Sequence, residues 1–344
     1  MSTAALESIA QAMVAPGKGI LAADESTGTI GKRFDSINVE CTEENRRAYR
    51  DTLFSTQGLG EFVSGVILYD ETLRQKSADG TPFPALLVRQ GILPGIKVDT
   101  GAKDLALCPG ETVTEGLDGL TQRCTEYVKL GAKFAKWRAV ITIGEGLPGT
   151  TCIAANAHAL ARYAAICQAA GLVPIIEPEV LMDGDHGIER CEEVTEWTLN
   201  AVYAALYIHR VVLEGTVLKP SMVIAGKSCA RQAGVEEVAE RTVRVLRRCV
   251  PAAVAGVVFL SGGQSDALAT AHLNAMNAQH KDRLPWPLSF SYGRALQQPA
   301  LKAWKGLPGN IVAAQRALHH RARMNGLACV GRYRADMEKQ ALAA

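Results

Sequence analysis

No C-x-x-C pair occurs among the nine cysteines of this sequence, and their odd number argues for reduced thiols rather than a disulfide framework or a zinc ribbon. A cytoplasmic protein is the expectation. Charge of one sign is also missing. The 37 basic and 35 acidic residues are spread along the chain and leave a formal net charge of only +2, which excludes the one-sided basic face of a nucleic-acid binder. No run approaches the roughly 18 uncharged apolar residues that a membrane span needs. The opening MSTAALESIAQAMVAPGKG lacks a basic segment, apolar core and small-residue cleavage site, so neither secretion nor membrane insertion is expected. The seven histidines form no H-x-H or H-E-x-x-H pattern, and only His186, in DGDHGIE, stands near carboxylates. No catalytic metal is expected.

Alternation between short β-branched or apolar runs and longer segments of helical period dominates the chain. Candidate strands are residues 19–24, 61–69, 85–99 (ALLVRQ followed by IKVD), 133–140, 172–179, 215–222, 255–262 and 288–293. Candidate helices between them include 42–57, 117–130, 153–170, 192–210, 235–249 and 265–277, with Gly131 and Gly171 as stop signals for two of them. Eight strand-then-helix repeats without a composition break predict one domain over 1–344, a (β/α)8 TIM barrel of the α/β class. A doubly wound open sheet is the alternative. Further helices at 3–14 and 310–323 extend the minimal barrel at its N- and C-terminal ends, and a short tail is expected from about 334.

Barrel enzymes work at the C-terminal rim of their strands, so charged residues at strand ends are the candidates. Asp24 ends the first strand, Lys97 follows the third, Lys136 and Arg138 lie two apart in FAKWRAV, and Glu177 and Glu179 lie two apart in IIEPE. Spacing of two puts both members of a pair on one side of a strand, here the interior. Lys219 in GTVLKPSM ends an apolar run directly before a proline, and burying its ammonium needs a partner or a lost proton. Using such an amine as a nucleophile requires its pKa to fall by roughly three units, or about 4 kcal/mol. A neighbouring cation such as Lys136 or Arg138 would help, and the free amine would attack a ketone to form a Schiff base whose iminium withdraws electrons from the adjacent bond. An ion pair of purely structural role is the plainer reading of any one of these residues, but buried charge yields little net stability, so their convergence points to catalysis.

SGGQS (261–265) and SYGRA (291–295) are glycine-rich turns after the seventh and eighth strands, where barrels frequently hold phosphate, and Arg294 would add a bidentate fork. Two lookalikes are rejected. GEGLPG (144–149) has Glu145 where pyrophosphate would lie and Pro148 within the turn. AGKS (225–228) lacks the glycine that a P-loop needs at position 221, where serine stands.

The segments GILAADESTGTIGKRF, IKVD, FAKWRAV, PIIEPEVLMDGDHGIERC, LEGTVLKPSMV, FLSGGQS and LSFSYGRALQ resemble class I fructose-bisphosphate aldolase, in order and over nearly the whole chain to about Tyr333. The resemblance implies a cytoplasmic lyase of glycolysis and gluconeogenesis, without metal or cofactor, that reversibly splits fructose 1,6-bisphosphate into glycerone phosphate and glyceraldehyde 3-phosphate. It implies a homotetramer whose partner is its small sugar bisphosphate, with no nucleic acid or membrane. Lys219 would be the Schiff-base lysine and Glu177 the acid/base, with Glu179 and Lys136 tuning them and Asp24 positioning lysine and substrate. Ser261, Gly262, Gly263, Ser291, Gly293 and Arg294 would hold the C1 phosphate, with Arg33 close by; Lys97, Arg138, Ser26 and Thr29 would serve the C6 phosphate. An aldolase of another phosphorylated ketose and a catalytically silent scaffold are the alternatives. Two departures stand out. Thr29 replaces the serine of many animal members, and the terminal tyrosine of their flexible tail has no counterpart after Tyr333, so enamine protonation is expected to use Glu177, water or substrate phosphate.

Overall fold

The structure, a computed structural model, describes residues 2–342. The last two residues of the expected tail therefore lie outside the described residues. In chain order the strands are β1 (Gly19–Ala23), β2 (Val63–Leu68), β3 (Leu93–Lys97), β4 (Gly101–Asp104), β5 (Thr112–Glu115), β6 (Phe134–Ile141), β7 (Val173–Val180), β8 (Val217–Leu218), β9 (Gly256–Phe259) and β10 (Leu288–Tyr292). The helices are α1 (Thr3–Met13), α2 (Thr27–Asp35), α3 (Glu43–Phe54), α4 (Asp70–Arg74), α5 (Phe83–Arg89), α6 (Leu120–Lys129), α7 (Thr150–Ala170), α8 (Ile188–Ile208), α9 (Val235–Cys249), α10 (Asp266–His280), α11 (Arg294–Trp304) and α12 (Ile311–Cys329). Eight strands close into a parallel barrel in the order β1-β10-β9-β8-β7-β6-β3-β2, and β4 and β5 form a separate antiparallel hairpin.

Packing divides the apolar residues into two sets. One lies between the barrel wall and the surrounding helices. The other fills the barrel itself: Ile20, Ala22, Ile67, Phe134, Val173, Ile175, Val217 and Val258 point inward, and Leu6, Ala10, Met13 and Val14 from α1 and its end close the bottom. Phe134 fits because β3 presents Gly95 to it, and a Cβ there would lie 2.2 Å from the ring. The extra N-terminal helix is thus the plug beneath the barrel.

The sequence expectation fails at 85–90, where ALLVRQ is not part of a strand. Residues 83–89 are helical, with proline in the first turn, Phe83, Pro84 and Leu87 buried and Val88 exposed. The strand slot goes instead to LPGIK, which pairs with β2 from Leu93 to Ile96 and leaves room for Phe134. Strand 215–222 is shorter than its apolar run. Lys219 N still donates to Ile176 O at 2.8 Å, but Pro220 has no N–H with which to continue the ladder. Residues 335–342 form a 3-10 helix in which Glu338 accepts from buried Arg321 at 2.5 and 2.6 Å and from the Tyr333 hydroxyl at 3.0 Å.

Candidate active site

Alternation along the strands builds the site upward from the apolar floor. Ile20 and Ala22 lead to Asp24, Phe134 to Lys136 and Arg138, Val173 and Ile175 to Glu177 and Glu179, and Val217 to Lys219. Register brings these residues side by side: Lys97 pairs with Lys136, and Arg138 with Glu177, on adjacent strands. The charges therefore sit in a layer at the strand ends, above side chains that exclude water.

Three contacts tie the layer together. Lys219 Nζ lies 3.1 Å from Glu177 Oε1, Lys136 Nζ lies 3.1 Å from Glu177 Oε2, and Lys136 Nζ lies 2.8 Å from Asp24 Oδ2. Lys219 and Glu177 side chains are both only 4% exposed, so the amine and carboxylate face each other in a site almost stripped of solvent. Glu177 Oε2 is itself buried and makes no directed hydrogen bond, its one polar neighbour among these contacts being the Lys136 ammonium. Burial alone would push the Glu177 carboxyl up, but Lys136, Lys219 and Arg138 outweigh it and hold the group below its ordinary value. Asp24 likewise is held well below the carboxylate range, because Lys136 and Lys219 overcome its desolvation. For Lys136, burial favours the neutral amine, yet the Asp24, Glu177 and Asp99 carboxylates win and keep it an ammonium.

These groups line a cavity of about 260 Å³. Every site residue expected from the sequence lines it except Arg138, which instead pairs with Glu179. Burial would lower the Arg138 pKa, but Glu179 raises it and keeps the guanidinium charged. Lys97 Nζ stands 3.4 Å from Asp99 Oδ1, and the other Asp99 oxygen accepts from the Arg138 backbone N–H at 3.2 Å, so Asp99 ties Lys97 to β6 at this wall.

Across the cavity lie the two glycine-rich turns. Gly262 and Gly263 both have positive φ, and a Cβ on Gly263 would come within 2.8 Å of Met182 Sδ, so this turn requires glycine. The buried Ser291 hydroxyl has no partner in the protein, which suits a group that meets an anionic oxygen. Arg294 Nη2 donates to Gln264 O at 2.7 Å, which holds this arginine against the other turn. Arg33, from α2, reaches the same end: its Nη2 lies 3.6 Å from where a Cβ on Gly293 would stand. Ser26 caps α2, and its hydroxyl lies 3.1 Å from that of Thr29.

Sequence reasoning missed Glu25, which lines the cavity and contacts both Arg33 and Arg50. Directly after Asp24 it points by alternation to the opposite face, and its partners come from distant helices. The available signal was Arg50 itself, a charged residue on the buried face of α3 beside Leu53 and Phe54. A larger groove of about 500 Å³ runs along α12, lined by residues that include Arg316, His319 and Arg323, but it contains no strand end and no facing amine and carboxylate. Among the described residues no group of three or more His, Cys, Asp or Glu side chains is arranged to hold a metal ion, and no helix is long and apolar enough to cross a membrane.

Comparison with known proteins gives a consistent picture. Residues 5–344 match the family model described as "Glycolytic: Fructose-bisphosphate aldolase class-I". A probable fructose-bisphosphate aldolase class 1 of Xanthomonas campestris pv. campestris is 62% identical over 335 residues, covering 97% of this chain and 100% of the relative. Cytosolic fructose-bisphosphate aldolase 6 of Arabidopsis thaliana is 59% identical over 321 residues, covering 93% and 89%. The solved structure of fructose-bisphosphate aldolase from Plasmodium falciparum, in complex with TRAP and a small-molecule inhibitor, superposes with a TM-score of 0.95 at 51% identity and 96% coverage of both chains.

Proposed function

The chain belongs to the class I fructose-bisphosphate aldolase family, whose reaction is the reversible cleavage of fructose 1,6-bisphosphate, and from that premise we propose how its residues divide the work. Lys219 Nζ attacks the C2 carbonyl of the open-chain sugar, and loss of water from the carbinolamine leaves an iminium. Glu177 takes the C4 hydroxyl proton. The C3–C4 electron pair moves into the iminium as an enamine, and glyceraldehyde 3-phosphate departs. Protonation at C3 and addition of water then release glycerone phosphate and the amine.

The observation that carries this reading is the 3.1 Å approach of Lys219 to Glu177 inside a closed charged layer. A carboxylate held in its ionised form is ready to act as a base, and Lys136, kept cationic, compensates the negative charge that Asp24 and Glu177 bring. At the C1 end, Ser261, Gly262, Gly263, Ser291, Gly293, Arg294 and Arg33 surround the phosphate. At the C6 end, Lys97, Ser26 and Thr29 take the second phosphate, and Arg138 acts from the mouth through Glu179. The nine free cysteines and the cytosolic relative support a cytoplasmic enzyme. Exposed Trp197, Tyr207 and Ile208 on α8 support assembly with identical chains as the tetramer that the resemblance implies, and a one-chain mass in solution would contradict that assembly.

Kinetics test the division of labour. Lys219→Arg is expected to lower kcat at least about a thousandfold, because the guanidinium cannot form the iminium. Glu177→Gln should lower kcat by on the order of 10²- to 10⁴-fold while glycerone phosphate still binds. Full activity of either variant would refute the assignment.

A further inference from the structure

At the cavity wall Arg33 and Glu25 lead back into a buried cluster whose other members, Arg50 and Gln297, have no part in the reaction as proposed. Glu25 Oε2 accepts from Arg50 Nη2 at 2.5 Å, while Glu25 Oε1 accepts from Gln297 Nε2 at 2.8 Å and contacts Arg33 Nη1. Gln297 Nε2 also donates to Ala22 O at 2.6 Å, and Gln297 Oε1 accepts from Arg50 Nη1 at 3.4 Å. Arg50 and Gln297, on α3 and α11, are almost fully buried, whereas the Arg33 side chain is 23% exposed and faces the cavity. The Arg50 guanidinium lies 5.8 Å from the centroid of the Tyr49 ring, which adds a wall on its other side.

We propose that Arg50 and Gln297 are positioning residues for the C1-phosphate end of the site: by neutralising and fixing Glu25 from behind, they leave the charge of Arg33 available to the phosphate. Counting charges gives the reason. Arg33 paired with Glu25 alone would form a neutral couple, and a carboxylate at the cavity wall would repel an incoming phosphate. With Arg50 added, two guanidiniums share one carboxylate and the cluster carries +1. Net stability is a poor explanation for such an arrangement, since buried ion pairs contribute little once desolvation is counted. The bond from Gln297 to Ala22 O extends the effect along β1, because it pins the strand two residues before Asp24.

The inference rests on the reading of Arg33 as a C1-phosphate ligand, and the test separates the two. KM and kcat are measured for fructose 1,6-bisphosphate and for fructose 1-phosphate, which carries only the C1 phosphate. Arg50→Gln should raise both KM values about tenfold, the loss of one charge-assisted interaction, with kcat nearly unchanged. Arg50→Lys should lie between that variant and the parent. The double variant E25Q/R50Q should recover much of the lost affinity, because it removes the uncompensated carboxylate together with its partner. Should Arg50→Gln not fold, Gln297→Leu carries the test through a smaller rise in the same two constants. A fall in kcat at constant KM, or a double variant no better than Arg50→Gln, overturns the proposal. If Arg33→Gln raises KM while the Arg50 and Gln297 variants do not, the positioning role alone fails; if Arg33→Gln leaves KM unchanged, the phosphate reading fails and takes the proposal with it.

Discussion

His272 is a neutral imidazole by force of its surroundings. It lies buried on α10, its Nδ1 donates to Gln264 Oε1 at 2.6 Å, and its Nε2 has no partner. Burial lowers its pKa from 6.5 to about 4, against a smaller opposing pull from Glu236. Because the folded value lies below the unfolded one, the unfolded chain takes up the proton first. Its contribution to stability is therefore complete above about pH 6.5 and declines as the pH falls toward 4, by about 3 kcal/mol across that window. Denaturant melts at several pH values should show this slope, and His272→Asn, which keeps a donor for Gln264, should flatten it. An unchanged slope in the variant would contradict the account. Asp24, Glu25 and Glu177 share the sign at lower pH: their depressed values stabilise the fold above the ordinary carboxylate range, and that stability is lost as acid protonates them. At this scale the sequence displays what alternation can display. Asp24, Lys136, Glu177 and Lys219 stand out as charges on apolar strands, whereas Glu25 is hidden because its partners are brought to it by α3 and α11.

Among the elements, β3 shows how a neighbouring strand sets local choice. The Phe134 ring occupies the space over Gly95, where an added Cβ would meet ring carbons at 2.2 to 2.6 Å. Gly95→Ala should destabilise the protein by about 1–3 kcal/mol through overpacking, read as a lowered denaturation midpoint. A midpoint equal to that of the parent would mean that the ring moves aside without penalty. The same contact explains why two apolar runs near residues 85–99 compete for one strand slot and why the glycine-bearing run wins. Helix α2 is the harder element to read. TGTIGKRFD contains two glycines and two threonines, all poor helix formers, and only the Ser26 cap and its place on the barrel make it helical. Yet α2 carries Thr29 and Arg33 to the cavity. The β4–β5 hairpin is equally hidden in the sequence. It is anchored to the barrel by Thr114 Oγ1 donating to Arg138 O at 2.7 Å, a contact that no local pattern announces.

For the whole molecule, the repeated strand-then-helix order makes the barrel legible, since eight parallel strands with short connections have few ways to close. The plug formed by α1 is only half legible, because an amphipathic first helix reads equally as an end-cover or as a contact surface, and the packing of Leu6, Ala10 and Met13 against the barrel interior decides for the cover. A nearly neutral chain brings five cations, Arg33, Lys97, Lys136, Lys219 and Arg294, to one cavity over an apolar floor, and in the proposed reaction this separation would give a doubly phosphorylated sugar a place to bind and an amine a dry place to react. The most direct test is borohydride reduction of the protein in the presence of glycerone phosphate, followed by peptide mass mapping. The account predicts one stable adduct, on the peptide that contains Lys219, and none in Lys219→Arg. An adduct on another lysine, or no adduct at all in an active enzyme, would contradict it.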